Sequence, residues 1–233
     1  MTQQRFAAEA LRTASFAHPL AGLLHGAAHG VWPAADGGWT LLPAWRPGVS
    51  AIVALTGHAY VCTDRRLVRA DLDRLGCNGL GGATLPAVVT AVAGPDGWID
   101  CLDVLLVAMG RGRESAPLIP RPDLADHHRV ANARRSRDVL AVVGYLQPER
   151  RDLATISRGL GGLTEIGVEA ATAGHGSRLF ADVLDTLPMG EVVVAGVAPG
   201  NARSLRSALA AGFAVAGSVQ ILLDARVPDG SAR

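Results

Sequence analysis

The chain has 233 residues, 49% of them hydrophobic and 18% charged, with a formal net charge of +1. Such a composition excludes general disorder, because enough apolar surface is available for burial, and it carries no basic footprint for nucleic acid. At this length either one large α/β domain or two small ones can enclose a substantial core.

All 22 basic residues are arginine, a bias that fits GC-rich coding. Cys62, Cys77 and Cys101 are odd in number and form no CxxC pair. They are expected to be free thiols packed as small hydrophobes in a reducing cytoplasm. The N-terminus lacks the basic start and apolar core of a secretory leader, and no run approaches the roughly 20 apolar residues that span a bilayer. A cytoplasmic protein with neither membrane nor nucleic-acid partner is expected.

Apolar residues recur at helical spacing from Phe6 to Leu24, with Pro19 as a break between two helices. A strand is expected at Trp39–Trp45, a single buried strand at Ala51–Val61, and helices at Arg66–Leu75 and Leu85–Ala93. After the turn Gly94–Gly97 comes a buried strand, Ile99–Ala108. Gly110–Asp126, rich in glycine and proline, reads as a linker or long surface connection. The expected division is therefore an N-terminal α/β region, 1–115, and a second domain, 116–233. An arginine-rich helix at Asp126–Arg137 precedes three strands, Asp138–Tyr145, Asp152–Ser157 and Leu163–Ala170, joined as an antiparallel meander. A helix opening near Gly174–Ser177, a strand at Glu191–Val197, a helix at Asn201–Ala211 and a last strand follow, with a hairpin conceivable at Ala216-Gly217.

Two motifs stand out in this β-β-β-α-β-α-β order. The first is the strand Thr164–Ala170 running into Ala171-Thr172-Ala173-Gly174-His175-Gly176-Ser177-Arg178-Leu179. The second is Gly200-Asn201-Ala202-Arg203-Ser204 continuing to Ala211-Gly212-Phe213. Together they resemble the GCN5-related N-acetyltransferase (GNAT) superfamily over residues 135–225: a strand, an Arg/Gln-x-x-Gly-x-Gly/Ala loop, a helix, and then an Asn-opened helix ending in Gly-Phe.

The resemblance implies an α/β fold with a mixed sheet. The N-terminal α/β region would complete it or form a degenerate second copy. It implies acetyl-CoA as co-substrate and no metal. The amides of Gly174, His175, Gly176 and Ser177 would grip the pyrophosphate at a helix start, with Arg178 as a charged neighbour. The backbone of Val168 and Ala170, on a bulged strand splayed from the next, would receive the pantetheine arm as an added strand. Asn201 and Ser204 would meet that arm at the second helix.

This chain departs from the pattern in two places. Ala171 stands at the loop start, although a register shifted by two would put Ala173 there. The first register is preferred because it buries Leu179, Phe180, Val183 and Leu184. Ala208 occupies the position of the tyrosine that many relatives use as general acid toward the thiolate.

In a strand Glu165, Gly167 and Glu169 share one face, so Glu165 or Glu169 is the candidate base for an incoming ammonium, Glu169 being nearer the loop. The bland alternative is a hydrated pair on a solvent face. His58 is a candidate pocket residue or a hydrogen-bonded structural histidine. His127 and His128 beside Asp126 are not expected to hold a metal, because neighbouring side chains on a helix diverge and no third ligand is suitably spaced. Arg134, Arg135 and Arg137 read as a solvated basic face.

The expected function is N-acetyl transfer from acetyl-CoA to a primary amine of a small molecule or peptide, with a homodimer open. A non-catalytic acyl-CoA sensor is the alternative, motivated by Ala208. A different α/β nucleotide-binding protein is a third, less suited because Glu191 precedes its strand instead of ending it.

Overall fold

The computed structural model describes residues 16–224. The helix expected around Phe6–Leu11 lies outside them. Ten strands and six α-helices among the described residues form a mixed α/β fold, divided into two compact units. One unit comprises residues up to Leu105 and again from Ala216; the other comprises Leu106–Val215.

In the first unit Pro19 begins helix α1 (Pro19–Ala28), where its fixed φ suits a first turn and its missing N–H costs nothing. His18 caps it: Nδ1 accepts the Leu20 amide at 3.1 Å, leaving Nε2–H to donate to the Pro43 carbonyl at 2.9 Å. The strands are β1 (Trp39–Leu42), β2 (Val49–Leu55), β3 (His58–Cys62), β4 (Trp98–Met109) and β10 (Ala214–Leu223), in the order β1-β3-β2-β10-β4. Helices α2 (Arg69–Arg74) and α3 (Pro86–Ala93) close its core, in which Ile52, Val61, Leu72, Val88, Val92 and Leu222 meet. Cys62 and Cys77 are buried, their thiols pushed by burial up to about 12 and about 11; Cys101, against expectation, is exposed.

The stretch Ala51–Val61 is a hairpin and not one strand. Thr56 and Gly57 both take positive φ, 48° and 84°, the geometry of a tight primed turn between right-twisted strands. Thr-Gly lacks the usual Asn-Gly signal and lies inside an apolar run, which hid the reversal. Nor does a hairpin form at Ala216-Gly217, because β10 runs unbroken along β2 from Ser218↔Ala54 to Leu223↔Val49. Gly217 is needed for close approach: a Cβ there would strike the Ala54 carbonyl oxygen.

The second unit has the strand order β4-β9-β8-β7-β6-β5, with β5 (Leu118–Pro120), β6 (Asp138–Tyr145), β7 (Leu153–Arg158), β8 (Thr164–Glu169) and β9 (Val192–Val197). β5 to β8 are successively antiparallel, the expected meander with one added edge strand. Helix α4 (His128–Ser136) packs Val130 with Leu124 and Leu153. Helix α5 (Gly176–Thr186) buries Leu179, Phe180, Val183 and Leu184, the face implied by their spacing. Helix α6 (Ala202–Ala210) follows β9, and Phe213 beyond it meets Phe180 edge-on with ring centroids 5.6 Å apart.

The segment 110–126 is no slack linker. Gly110 and Glu191 share a backbone hydrogen bond of 2.8 Å, Arg111 and Arg113 donate to Leu184 and Asp185 carbonyls, and Leu118–Pro120 is β5. Its glycines allow contact, since a Cβ on Gly110 would strike the Pro188 carbonyl oxygen. Gly112 requires φ +57°. Proline fits β5 because that strand is an edge.

Candidate functional site

Strands β8 and β9 pair in parallel at Thr164↔Val193 and Glu165↔Val194, and the described ladder contains only these registers. β8 continues to Glu169 and β9 to Val197, so the strands part toward their C-terminal ends. On its other side β8 stays zipped to β7 from Arg158↔Thr164 to Leu153↔Glu169. The bulge that the resemblance led us to expect in β8 is absent from that register; the irregularity lies in β6, between Val139 and Ala141.

The direction of the main chain along β8 follows from two bonds. Thr155 Oγ1 reaches the Gly167 carbonyl at 3.4 Å, and the Ala171 amide donates to Asp152 Oδ1 at 2.9 Å, both toward the β7 side. Alternation then turns the amides and carbonyls of Val168 and Ala170 toward the edge that β9 has left. Both residues are half-buried.

Beyond β8, Ala171, Thr172, Ala173, Gly174 and His175 are exposed. Gly174 has φ +89° with open space where a Cβ would stand. Gly176 and Ser177 begin α5, and helix geometry leaves their amides and that of Arg178 without intrahelical acceptors. One expectation is corrected here and one packing constraint is added. The His175 amide is not free but donates to the Thr172 carbonyl at 3.3 Å. Gly176 is small for a packing reason, since a Cβ would lie 2.8 Å from Ser207 Oγ. Arg178 Nε donates to both oxygens of buried Asp182, at 2.9 and 3.0 Å, and this pairing raises the arginine's proton affinity.

Asn201 is the N-cap of α6, its Oδ1 accepting the Ser204 amide at 3.1 Å. That leaves the Asn201 carboxamide N–H donors for another partner. Ala208 is fully buried in the same helix.

The two candidate bases differ sharply. Glu165 is buried and fully engaged: Oε2 accepts the Leu160 amide at 2.9 Å and Oε1 pairs with Arg137 at 3.0 Å. It ties the β7–β8 turn to the end of α4, which corrects its catalytic candidacy and the reading of Arg137 as merely solvated. Glu169 is part-exposed and meets three successive residues at the start of α4. His128 Nε2 stands 3.0 Å away, Arg129 Nε 3.4 Å and His127 Nε2 3.7 Å. Burial pushes His127 below the ordinary histidine value despite the pull of Glu169. The expected divergence of the two histidines does not occur: His127 is the N-cap, with φ −65° and ψ 141°, so the rings lie 4.3 Å apart.

Sequence reasoning missed the groups that brace this region. A surface cavity of about 480 Å³ beside the loop is lined by Tyr145, Gln147, Arg150, His175, Arg178 and Asp182, among others. Tyr145 Oη donates to Asp182 at 2.7 Å, and burial with that carboxylate pushes the phenol up to about 12. Arg150 stacks over the Tyr145 ring and pairs with Asp152 at 2.9 Å. Arg121, buried, donates to the carbonyls of Tyr145 and Arg150 at 2.7 and 3.0 Å and forks onto Asp123. The one available signal was a set of acids at element ends in a chain poor in charge.

In the first unit His58 is the hydrogen-bonded alternative. Its Nδ1 faces Asp36 at 2.7 Å and so carries the proton, leaving Nε2 to accept the Thr40 hydroxyl at 2.9 Å. The bond to His58 holds the Asp36 carboxyl below its ordinary value.

No family model matches the sequence, and neither does any curated protein. Among solved structures, a crystal structure from Novosphingobium aromaticivorans described as a GNAT-family acetyltransferase is similar, with 18% identity over 56% of this chain and 68% of that chain and a TM-score of 0.40. Among the described residues no helix is long and apolar enough to cross a membrane.

Proposed function

We propose that the second unit binds acetyl-CoA and transfers its acetyl group to a primary amine. The observation that carries this reading is the parting of β8 from β9 after Glu165 and Val194. An extended pantetheine arm can hydrogen-bond to the vacated edge at Val168 and Ala170, as a strand added to a sheet does. The diphosphate would then meet the first-turn amides of Gly176, Ser177 and Arg178, where the helix dipole favours an anion. Asn201 would offer its free N–H donors to the arm.

For the chemistry, a backbone amide near Val168 would stabilise the developing oxyanion. Glu169, the part-exposed carboxylate of the strand, would accept the ammonium proton directly or through water. Coenzyme A leaves as a thiolate with a pKa near that of cysteine, about 8.5, so solvent can protonate it without a tyrosine at position 208.

Thermal unfolding with acetyl-CoA tests binding: ligand at 100 times its Kd adds about 2.7 kcal/mol. No stabilisation at millimolar cofactor ends the reading. Ala173→Asp, in the exposed loop, adds negative charge without touching the core and is expected to weaken binding at least tenfold. Binding without thiol release across a panel of amines would move the conclusion to a non-catalytic acyl-CoA binder.

A further inference from the structure

We propose that His127, His128 and Glu169 form a site for a zinc-class divalent cation. One ligating atom of each lies within 4.8 Å of the others. The carboxylate oxygens stand 3.0 Å from His128 Nε2 and 3.7 Å from His127 Nε2. A tetrahedral ion with bonds of about 2.0–2.1 Å separates its ligand atoms by about 3.4 Å, and the two histidine–carboxylate spacings, one to each oxygen of Glu169, lie on either side of it. Two imidazoles and one carboxylate are a donor set suited to zinc and its neighbours, not to calcium or magnesium, which prefer oxygen alone.

The backbone explains why the set assembles. His127 lies outside the helix as its cap, His128 is the first helical residue, and Glu169 ends β8. The cap position turns the first ring beside the second, and the strand delivers the third ligand. The side chain of His128 is 67% exposed, which leaves an entry path and at least one coordination position for water. Two local bonds must yield. Neutral His127 binding through Nε2 places its proton on Nδ1 and releases the Arg129 amide that Nδ1 now accepts. The part-exposed Arg129 guanidinium must swing from Glu169 into solvent. Protons and Arg129 are therefore the competitors of the ion.

The site shares Glu169 with the proposed acetyl transfer, and a metal-bound carboxylate would not serve as that base, but the readout is bound metal and not turnover, so the two readings fail separately. The full chain, stripped with a chelator, is titrated with Zn²⁺ by calorimetry and by competition against a chromophoric zinc indicator. The expected result is one saturable site, weakened at least tenfold by His128→Ala and by Glu169→Gln and strengthened by Arg129→Gln. His128 is exposed enough that its loss leaves the fold intact. The stacked pair of His25, in α1, and His29, its C-cap, with ring centroids 4.5 Å apart, is a competing site. His25→Ala with His29→Ala is expected to leave the affinity unchanged. Absence of saturable binding overturns the proposal, as does binding indifferent to His128→Ala or abolished by the His25/His29 double variant.

Discussion

Asp152 holds the main chain of Ala171: its buried Oδ1 accepts that amide at 2.9 Å, while Oδ2 pairs with Arg150 at 2.9 Å. One carboxylate thus fixes both the second residue after β8 and the guanidinium that covers Tyr145. Asp152→Ala leaves Arg150 and the amide without their acceptor and is expected to cost about 3 kcal/mol in urea unfolding. Asp152→Asn keeps an acceptor for Ala171 and should cost less. Under the proposed function, both should weaken acetyl-CoA binding in proportion to the loosened loop.

Tyr145 gives an alkaline signature. Its phenol ionises at about 12 in the folded chain, against about 10 when unfolded. A folded-state value above the unfolded one means that its stabilising share is complete below pH about 10 and is lost as pH rises toward 12. In a Tyr60→Phe background, which leaves one tyrosine, the tyrosinate absorbance should appear only near that upper limit. Tyr145→Phe should lower stability at neutral pH, where Asp182 loses a donor, and should flatten the alkaline decline.

The two loop glycines should respond differently. Gly174→Ala has room for the methyl but must hold φ at +89°, so a loss of about 1 kcal/mol is expected with no rescue elsewhere. Gly176→Ala meets Ser207 on α6. Ser207→Gly, which removes that contact, should restore much of the loss. A double-mutant cycle by chemical unfolding would read the coupling between the helices.

Arg121 braces the β6–β7 turn through the carbonyls of Tyr145, Gln147, Pro148 and Arg150. Arg121→Lys keeps the charge but not the planar fork and is expected to destabilise by roughly 2 kcal/mol. The fluorescence of a probe attached at Gln147 should report a loosened turn before global unfolding. A turn as rigid as wild type would remove this role from Arg121.

Local patterns carried much of the second unit. The apolar spacing of Leu179, Phe180, Val183 and Leu184 located the face of α5, and the Gln147-Pro148 and Gly159–Gly162 turns separated β6, β7 and β8. What escaped was tertiary. Glycines at 110 and 112 serve close approach to the end of α5, although in sequence they look like slack. Thr56-Gly57 turns the chain inside an apolar run. The nearest in sequence of the partners of Glu169, Arg129, is 40 residues away, and nothing local announces that meeting. Glu165 and Glu169 share a face as strand alternation requires, yet only packing decides that one is buried structure and the other reachable.

The allocation of β10 has a practical consequence for anyone dividing the gene. Ala214 and Val215 belong with the second unit, whereas the stretch from Ala216 onward lies along β2 in the first. A fragment beginning at residue 116 would therefore carry Val219, Leu222 and Leu223 as an ownerless apolar ribbon prone to aggregation. Its N-terminal complement would lack one row of its sheet. Co-expression of the two halves should recover soluble material that neither yields alone.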